Sequence, residues 1–433
     1  MSTEEEAAWR TPTPVFITPT STVNSDGIPA TEKHGTGNGA ADTAFKVSLN
    51  ETEDPQHLAS WRKWCAVIVI SFAALCITAA SSMASFTEKS IEREFHVSST
   101  VSILAISFVS DMFSPTMVAN PLAVYTFCAF VGPILGPLIS GFINQNLYWR
   151  WTYYILLIWE FIIVIVLIVL VPETYVPLLV RRKVTRLQRE TGDTRYWSEH
   201  DKHDTGLFKP ILMSVYIPFR HLVMDRMALL LDLWTAFLLG ILYLATQAYP
   251  FVFGGLHHFS TQLTGLTFVG IGIGTFLAFV TQPLWNRHFA RQVEKYGGIP
   301  PPEVHLVMAQ VGAVLVPTSL FCLAFTTYRH VHYIAPIIAS VPFGAGIYFV
   351  FKSVFTYLVT AYRPIAASAL AANSTLRTSF AAGFPLFAHP MYARLGAVGA
   401  TALLAGLATL MTPLPFIFAK IGPRLRAKAR FAA

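Results

Sequence analysis

A series of long apolar segments limits how this chain can fold more than any other feature. Each segment has the length of about 20 residues that an α-helix needs to cross the hydrocarbon core of a bilayer. The chain is 54% hydrophobic and only 13% charged, whereas a soluble domain carries about 25% charged residues. These features exclude an ordinary soluble protein. They predict nine membrane-spanning helices, at about 64–86, 121–143, 151–172, 228–252, 263–284, 306–328, 332–357, 365–388 and 397–419.

The segments outside these helices show no sign of enzymatic or metal chemistry. Residues 1–60 are rich in Thr, Ser, Pro and Gly and predict a disordered tail. The four cysteines lie in apolar segments without the spacing of metal ligands, which favours packed thiols. An integral membrane enzyme would need clustered His, Asp or Cys residues at a membrane face. The sequence contains no such cluster, so we expect neither an enzyme nor a cofactor.

Basic residues predict the orientation of the helices. Lys and Arg concentrate in residues 173–227, after residue 284 and beyond residue 419, and the positive-inside rule places these segments in the cytoplasm. Arg62 and Lys63 place the start of the first helix there too. The first two helices then both begin in the cytoplasm. Only a short apolar patch, Val101 to Val109, is available to return the chain, and it is too short to span as a helix. The first half therefore lacks an odd number of helices.

A stripe of small residues marks the second predicted helix. Gly132, Gly136 and Gly141 recur about one helical turn apart, and Pro133 and Pro137 lie beside them. Within a membrane, small residues let a neighbouring helix approach closely, and neighbours satisfy the backbone groups that proline frees. The stripe therefore predicts either a specialised contact with a helix of the other half or generic close packing of helices.

Ionisable and polar residues inside the predicted helices are candidates for a transport pathway, since burying them in a membrane is costly. Glu160 is a candidate proton carrier. Arg377 could bind an anionic group or bond to backbone carbonyls. Asp232 and Lys352 lie closer to predicted helix ends, where a side chain can snorkel, so a structural role is favoured. The polar candidates for the pathway are Tyr243, Gln247 and Asn373.

Several motifs together resemble the fungal drug:proton antiporters, which are twelve-span members of the major facilitator superfamily. The similar segments are Phe72-Ala73-Ala74, Glu94-Phe95-His96-Val97-Ser98, Asp111-Met112-Phe113-Ser114-Pro115, Gly132-x-x-x-Gly136-Pro137-x-x-Ser140-Gly141, Trp149-Arg150-Trp151, Pro172-Glu173-Thr174-Tyr175-Val176-Pro177 and Ala367-Ser368-Ala369-Leu370-Ala371-Ala372-Asn373 with Arg377. Relative to that family, spans two to four are absent between Leu104 and Asp111. These are three spans, which agrees with the odd number of missing helices that the basic residues predict. Ser140 also replaces the usual first glycine of a Gly-Gly pair.

The resemblance implies an all-α membrane protein with the major facilitator fold and an incomplete first half. We expect a disordered tail (1–60), the incomplete half (61–177), a cytoplasmic linker (178–227), a six-helix half (228–420) and a basic tail (421–433). The resemblance also implies that the antiporter motif consists of Gly132, Pro133, Gly136, Pro137 and Gly141.

The expected function is proton-coupled export of drugs or secondary metabolites by alternating access. We expect a monomer with both termini in the cytoplasm. Its partners would be the lipid bilayer, small molecules and protons, with no nucleic acid, and its location the plasma membrane or, as the alternative, the vacuolar membrane. The alternative function is a non-transporting remnant, or a truncated gene model, of such an exporter.

Overall fold

The computed structural model describes residues 47, 53, 55–91, 119–174, 176–193, 195–197, 220, 225–298, 300–328 and 330–426. The described residues form two compact units. One comprises those of Met1–His57 and Tyr175–Phe208, and the other those of Leu58–Thr174 and Lys209–Ala433. Most of the predicted tail (1–60) lies outside the described residues, apart from residues 47, 53 and 55–60, of which Pro55–His57 form a 3-10 helix. The short apolar patch at 101–109 also lies outside them.

The larger unit is built from α-helices. They are α1 (Ser60–Ile91), α2 (Ala119–Asn146), α3 (Arg150–Leu170), α5 (Arg226–Tyr249), α6 (Thr261–Leu266), α7 (Val269–Val280), α8 (Gln282–Lys295), α9 (Leu306–Thr326), α10 (Ile334–Ala361), α11 (Ala366–Met411) and α12 (Pro413–Arg426). A π-helical turn, Pro250–Leu256, extends α5, and a 3-10 helix, Pro302–His305, precedes α9.

Eight segments of the described chain are long and apolar enough to cross a membrane. They are Ser60–Ala80, Asn120–Asn146, Arg150–Leu170, Arg226–Leu256, Thr261–Lys295, Pro302–Thr326, Ile334–Ala361 and Pro390–Arg426. The ninth predicted helix, 365–388, is present as the first part of α11. It carries Asn373, Ser374 and Arg377, which lower its mean hydropathy, so it is helical but more polar than the others.

A sharp bend divides α11. Gly396 has φ 70° and ψ 172°, a conformation that glycine adopts without the steric penalty of a side chain. The hydroxyls of Tyr392 and Thr401 lie only 3.3 Å apart across this bend. Nine residues of straight helix would separate them by about 13.5 Å along the axis. The chain therefore turns back at Gly396, which agrees with the predicted break between the helices at 365–388 and 397–419.

The core of the larger unit lies in the second half. Helices α5 and α11 pack together, as do α9 with α10 and α7 with α10. Aromatic and aliphatic side chains fill the space between them, including Trp234, Phe351 and Phe355, all of which are buried. The Arg226–Leu256 span is 78% buried, whereas the Arg150–Leu170 span is 6% buried. Within the described part of the chain, Thr152 and Leu156 are the buried residues of α3.

The smaller unit centres on the amphipathic helix α4 (Val176–Thr191). Val180 and Val184 are buried on one side of α4, while Arg181 and Arg182 are exposed. Lys183 pairs with Glu53 at 2.7 Å, which ties α4 to the segment before α1.

The close approach of α1 and α2 generates a stability prediction. A Cβ atom at Gly136 would lie 2.6 Å from the carbonyl oxygen of Ala79, and it would also collide with Ser82. We expect Gly136→Ala to destabilise the protein by about 1–3 kcal/mol, since the α1 backbone cannot rotate away as a side chain can. The measurement is the midpoint of thermal unfolding of the purified full chain in detergent.

The matched control for this substitution is Gly406→Ala in α11, where a Cβ would have nothing within 4 Å. The control should unfold within a degree or two of the wild type, which is a small effect. Equal midpoints for the two variants would contradict the packing argument.

Candidate functional site

The small-residue stripe of α2 contacts two different neighbours. Gly132 and Gly136 pack against α1, where added Cβ atoms would lie 2.8 Å from the carbonyl oxygen of Leu75 and 2.6 Å from that of Ala79. A Cβ at Gly141 would lie 3.0 Å from the carbonyl oxygen of Thr261 in α6, which belongs to the second half.

Helix geometry explains why the stripe divides in this way. At about 100° per residue, Gly132 and Gly136 lie about 40° apart around the helix, whereas Gly141 lies about 180° from Gly132. Of the two alternatives, contact with the other half therefore applies to Gly141, whereas Gly132 and Gly136 share a face that packs closely against α1. Pro133 and Pro137 lie inside α2 without ending it. The carbonyl oxygen of Pro137 faces Gly265, where an added Cβ would be 2.5 Å away.

Helix α2 also joins the second half through hydrogen bonds near both of its ends. At one end, the backbone N–H of Thr261 donates to Gln145 Oε1 at 3.2 Å, and Asn146 Nδ2 donates to Gln262 Oε1 at 3.4 Å. At the other end, Asn286 Nδ2 donates to Asn120 Oδ1 at 2.8 Å. Helix α2 is therefore hydrogen-bonded to the second half near both of its ends.

A buried polar cluster lies between α5 and α11. Asn373 Nδ2 donates to Asp232 Oδ1 and to Thr235 Oγ1, both at 2.8 Å. All three side chains are at most 1% exposed. Asp232 Oδ2 and Asn373 Oδ1 have no hydrogen-bond partner among the described residues. The cluster therefore retains unused hydrogen-bonding capacity in an apolar bundle, where such capacity is costly.

Arg377 extends this cluster one helical turn along α11. Its Cζ lies 5.0 Å from the ring centroid of Phe355 and 5.7 Å from that of Phe351, both on α10. Its guanidinium is buried in the neighbourhood of Asp232, of Tyr125 in α2 and of Tyr243 in α5. Ring faces attract a cation, most strongly where water is excluded. The cluster thus includes a residue from the first half, Tyr125.

The structure brings together only some of the residues predicted from sequence. Asn373, Arg377 and Tyr243 lie in or beside the cluster. Glu160 does not, because it is half-buried on α3, where it interacts electrostatically with Cys76 of α1. Gln247 lies in α5, but its side chain is not among those described.

The expectation that Asp232 and Lys352 snorkel is wrong. Asp232 is 0% and Lys352 5% exposed, because each faces the interior of the bundle rather than its rim. Sequence reasoning placed both by their distance from the helix ends. The face on which each side chain lies depends on neighbours that are far away in sequence, such as Asn373 for Asp232. The one sequence feature that indicated a partner for Asp232 was the polar residue Asn373 inside another predicted helix.

One apolar cavity of about 30 Å³ lies among α5, α9, α10 and α11. Its lining includes Tyr249, Phe253, Phe343 and Tyr392. This is space for about two waters.

The hydrogen bonds of Asn373 generate a second prediction. Asn373→Leu leaves the Asp232 carboxyl without a described hydrogen-bond donor, so we expect a loss of about 1–3 kcal/mol in unfolding free energy. Thr375→Val is the matched control, since Thr375 Oγ1 bonds only locally, to the carbonyl oxygen of Ala371. Adding Asp232→Leu to Asn373→Leu should recover part of the loss, because both polar partners are then removed.

Thermal unfolding of the full chain in detergent measures the effect of each variant. Equal unfolding midpoints for Asn373→Leu and Thr375→Val would contradict the prediction.

Comparison with known proteins identifies the family. Residues 62–385 match the family model of the Major Facilitator Superfamily. The chain is 38% identical to "Efflux pump atB" of Aspergillus terreus over 90% of both chains. It is 41% identical to "Probable drug/proton antiporter YHK8" of Saccharomyces cerevisiae over 75% of this chain and 63% of that protein.

A further relative is "Major facilitator superfamily multidrug transporter mdrA" of Aspergillus fumigatus, which is 31% identical over 92% of this chain and 77% of its own length. That alignment runs over 472 positions, more than the 433 residues of this chain. The relative therefore carries internal residues that have no counterpart here. The family model and these identities establish that the chain belongs to the major facilitator superfamily, a family of multi-pass, non-enzymatic membrane transporters.

Proposed function

We propose that this chain exports small organic molecules, such as drugs or secondary metabolites, in exchange for protons and by alternating access. The observation that supports this most is the buried cluster of Asp232, Asn373 and Arg377. Ionisable groups inside a membrane bundle are costly and typically mark a substrate or proton pathway. The names of two relatives, an efflux pump and a probable drug/proton antiporter, support export and the proton as the coupled ion.

The chemistry of the cluster suits competition between a proton and a substrate. Asp232 has one carboxyl oxygen engaged by Asn373 and one without a described partner. Protonation removes the negative charge beside Arg377, and deprotonation restores it. If the substrate binds to the same groups, it gains and loses affinity as the proton leaves and returns, which is the coupling that an antiporter needs.

The surroundings of Arg377 indicate which substrates would fit. Phe351 and Phe355 provide ring faces, and Tyr125 and Tyr243 lie nearby. Aromatic walls around a few polar groups are typical of pockets for apolar organic molecules. Arg377 would bind an acceptor or an anionic group of the substrate. Asn373 and Tyr243, together with Gln247, would supply further polar contacts.

Glu160 is the alternative proton carrier. It is the carboxylate inside the Arg150–Leu170 span, and it is half-buried. We favour Asp232, since Asp232 lies beside the residues that would contact a substrate and Glu160 lies against α1 near Cys76.

The remaining features follow the sequence argument. We propose that both termini are cytoplasmic, that residues 178–227 are the cytoplasmic linker between the halves, and that the monomeric protein acts in the plasma membrane. The density of basic residues in this linker, after α7 and at the C-terminus supports the orientation.

A non-transporting remnant or truncated gene model is the second candidate, and two observations favour it. The alignment with mdrA exceeds the length of this chain, and α3 packs little against the described residues. Sequencing the transcript distinguishes the candidates. About a hundred further residues between Ser102 and Asp111 would support the truncated gene model, whereas a matching transcript with robust efflux would exclude both forms of this alternative.

Efflux measurements test the proton carrier. Cells that express the chain should accumulate less of a fluorescent, uncharged apolar compound or of a toxic metabolite, and a protonophore should abolish the difference. We expect Asp232→Asn to reduce gradient-driven efflux about tenfold or more, since the variant cannot exchange a proton. Glu160→Gln is the matched control and should retain most of the efflux. The reverse result would transfer the role to Glu160, and no efflux from the wild type would favour the remnant.

Proton leak tests the antiporter motif. Gly141→Leu would push α2 away from α6, where the Thr261 carbonyl lies 3.0 Å from an added Cβ. We expect faster passive acidification of liposomes that contain this variant than of wild-type liposomes. Gly406→Leu, which has open space around it, should leave the leak unchanged. Unchanged leak and efflux in Gly141→Leu would leave only a packing role for the motif.

A further inference from the structure

Lys352 is a buried cation that the proposed export mechanism does not use. It lies on α10 and is 5% exposed. In the described part of the chain, no ion pair or hydrogen bond of the Lys352 ammonium is found. Placing an ammonium in a bundle interior without a partner is costly. An anion bound beside Lys352 would offset this cost.

The Lys352 side chain lines a cavity of about 40 Å³. The cavity lies between α8, the 3-10 helix Pro302–His305 and the helices α9 and α10, and the side chains of Asn286, His288, Phe289 and His305 also line it. Its volume is room for about three waters or for one group of similar size. No carboxylate lines this cavity in the described part of the chain.

Several of the cavity's side chains are held in place. The His305 ring stacks on Phe289 with centroids 4.8 Å apart. Asn286 accepts from Gln282 Nε2 at 3.0 Å and donates to Asn120 at 2.8 Å. Ser353 Oγ donates to the carbonyl oxygen of His305 at 2.6 Å, which joins the 3-10 helix to α10. The cavity is therefore a formed site whose polar side chains lie around a single ammonium.

The charge around the cavity favours an anion. Arg287, Arg291 and Lys295 are exposed along α8. Glu303, the acidic residue of the 3-10 helix, is instead occupied by Arg426, whose Nε lies 3.3 Å from Glu303 Oε1. The basic loop after α7 is on the predicted cytoplasmic side, and basic pockets between membrane helices on that side bind lipid headgroups.

We propose that this cavity binds a phosphate group, with Lys352 as its charged donor and with Asn286, His288 and His305 as neighbouring polar side chains. The phosphate belongs either to an anionic phospholipid of the cytoplasmic leaflet or to a soluble phosphate compound. Both sources present the same oxyanion to the ammonium. The site is separate from the Asp232 cluster and does not depend on the proposed transport reaction.

Binding measurements on the purified full chain test the proposal. One arm titrates inorganic phosphate against the wild type in a neutral detergent. The other compares nanodiscs of phosphatidylcholine with nanodiscs that contain increasing phosphatidylserine. In at least one arm, the midpoint of thermal unfolding should rise and saturate. Lys352→Met should raise the half-saturating concentration about tenfold or more, since a charge-assisted hydrogen bond is lost.

Arg287→Gln is the matched control, because it removes an exposed cation of α8, a helix that borders the cavity, while Arg287 itself does not line the cavity. It should change half-saturation by less than about threefold, as a solvent-screened charge does. A response to phosphatidylserine alone identifies the headgroup of an anionic phospholipid as the source, since phosphatidylcholine has the same phosphodiester but no net charge, and a response to inorganic phosphate identifies a soluble source.

The unliganded proteins provide an independent check. Without phosphate or anionic lipid, Lys352→Met should unfold at or above the wild-type temperature, since an uncompensated buried charge is removed. Lys352→Gln serves as a second uncharged variant if Lys352→Met does not fold. The proposal is overturned if the wild type responds in neither arm, or if the uncharged variant that folds responds as the wild type does.

Discussion

The close approach of α2 to the helices on both of its sides is the constraint on which the rest of the larger unit depends. Gly132 and Gly136 allow α1 to lie against one face, and Gly141 with Gly265 allows α6 to lie against the opposite face. Without hydrophobic driving force between helices in lipid, such packing depends on shape, and small residues provide it. Helix α2 also bonds to the second half through Gln145 near one end and Asn120 near the other. Any rearrangement between the halves must therefore change the contacts of α2.

The glycine faces of α2 are closely packed, whereas the buried polar cluster has hydrogen-bonding groups without partners. Asp232 Oδ2, Asn373 Oδ1 and Arg377 Nε are buried without a hydrogen-bond partner among the described residues. A structural cluster in a low-dielectric interior gains most when every member is paired. Buried groups without a hydrogen-bond partner lower the stability of the fold. Such a loss is expected at a site that binds a proton or a ligand. This contrast supports a functional role for the cluster and a scaffolding role for the glycine faces of α2.

The sequence predicts the helices better than it predicts their faces. Length and hydropathy locate the spans, and the break near Gly396 follows from the polar and small residues around it. The division of the α2 glycines between two opposite faces does not follow from a spacing of about one turn, because the offset of nine residues from Gly132 to Gly141 reverses the face. Asp232 and Lys352 were misplaced for a related reason. Their distance from helix ends is a local property, whereas their burial depends on α11 and on the 3-10 helix, which lie about 140 residues after and about 50 residues before them in the chain.

The uneven burial of the helices separates ligand binding from transport. Helix α5, which carries Asp232, lies in a span that is 78% buried, and its partners Asn373 and Arg377 come from the same half. The cluster therefore keeps its contacts whatever accompanies α1 to α3. The Arg150–Leu170 span is only 6% buried, and lipid tails can cover an apolar face but cannot form the polar wall of a pathway. On the proposed function, ligand binding at the cluster would use the second half and Tyr125, whereas coupled movement of a substrate would also require a first half that encloses it.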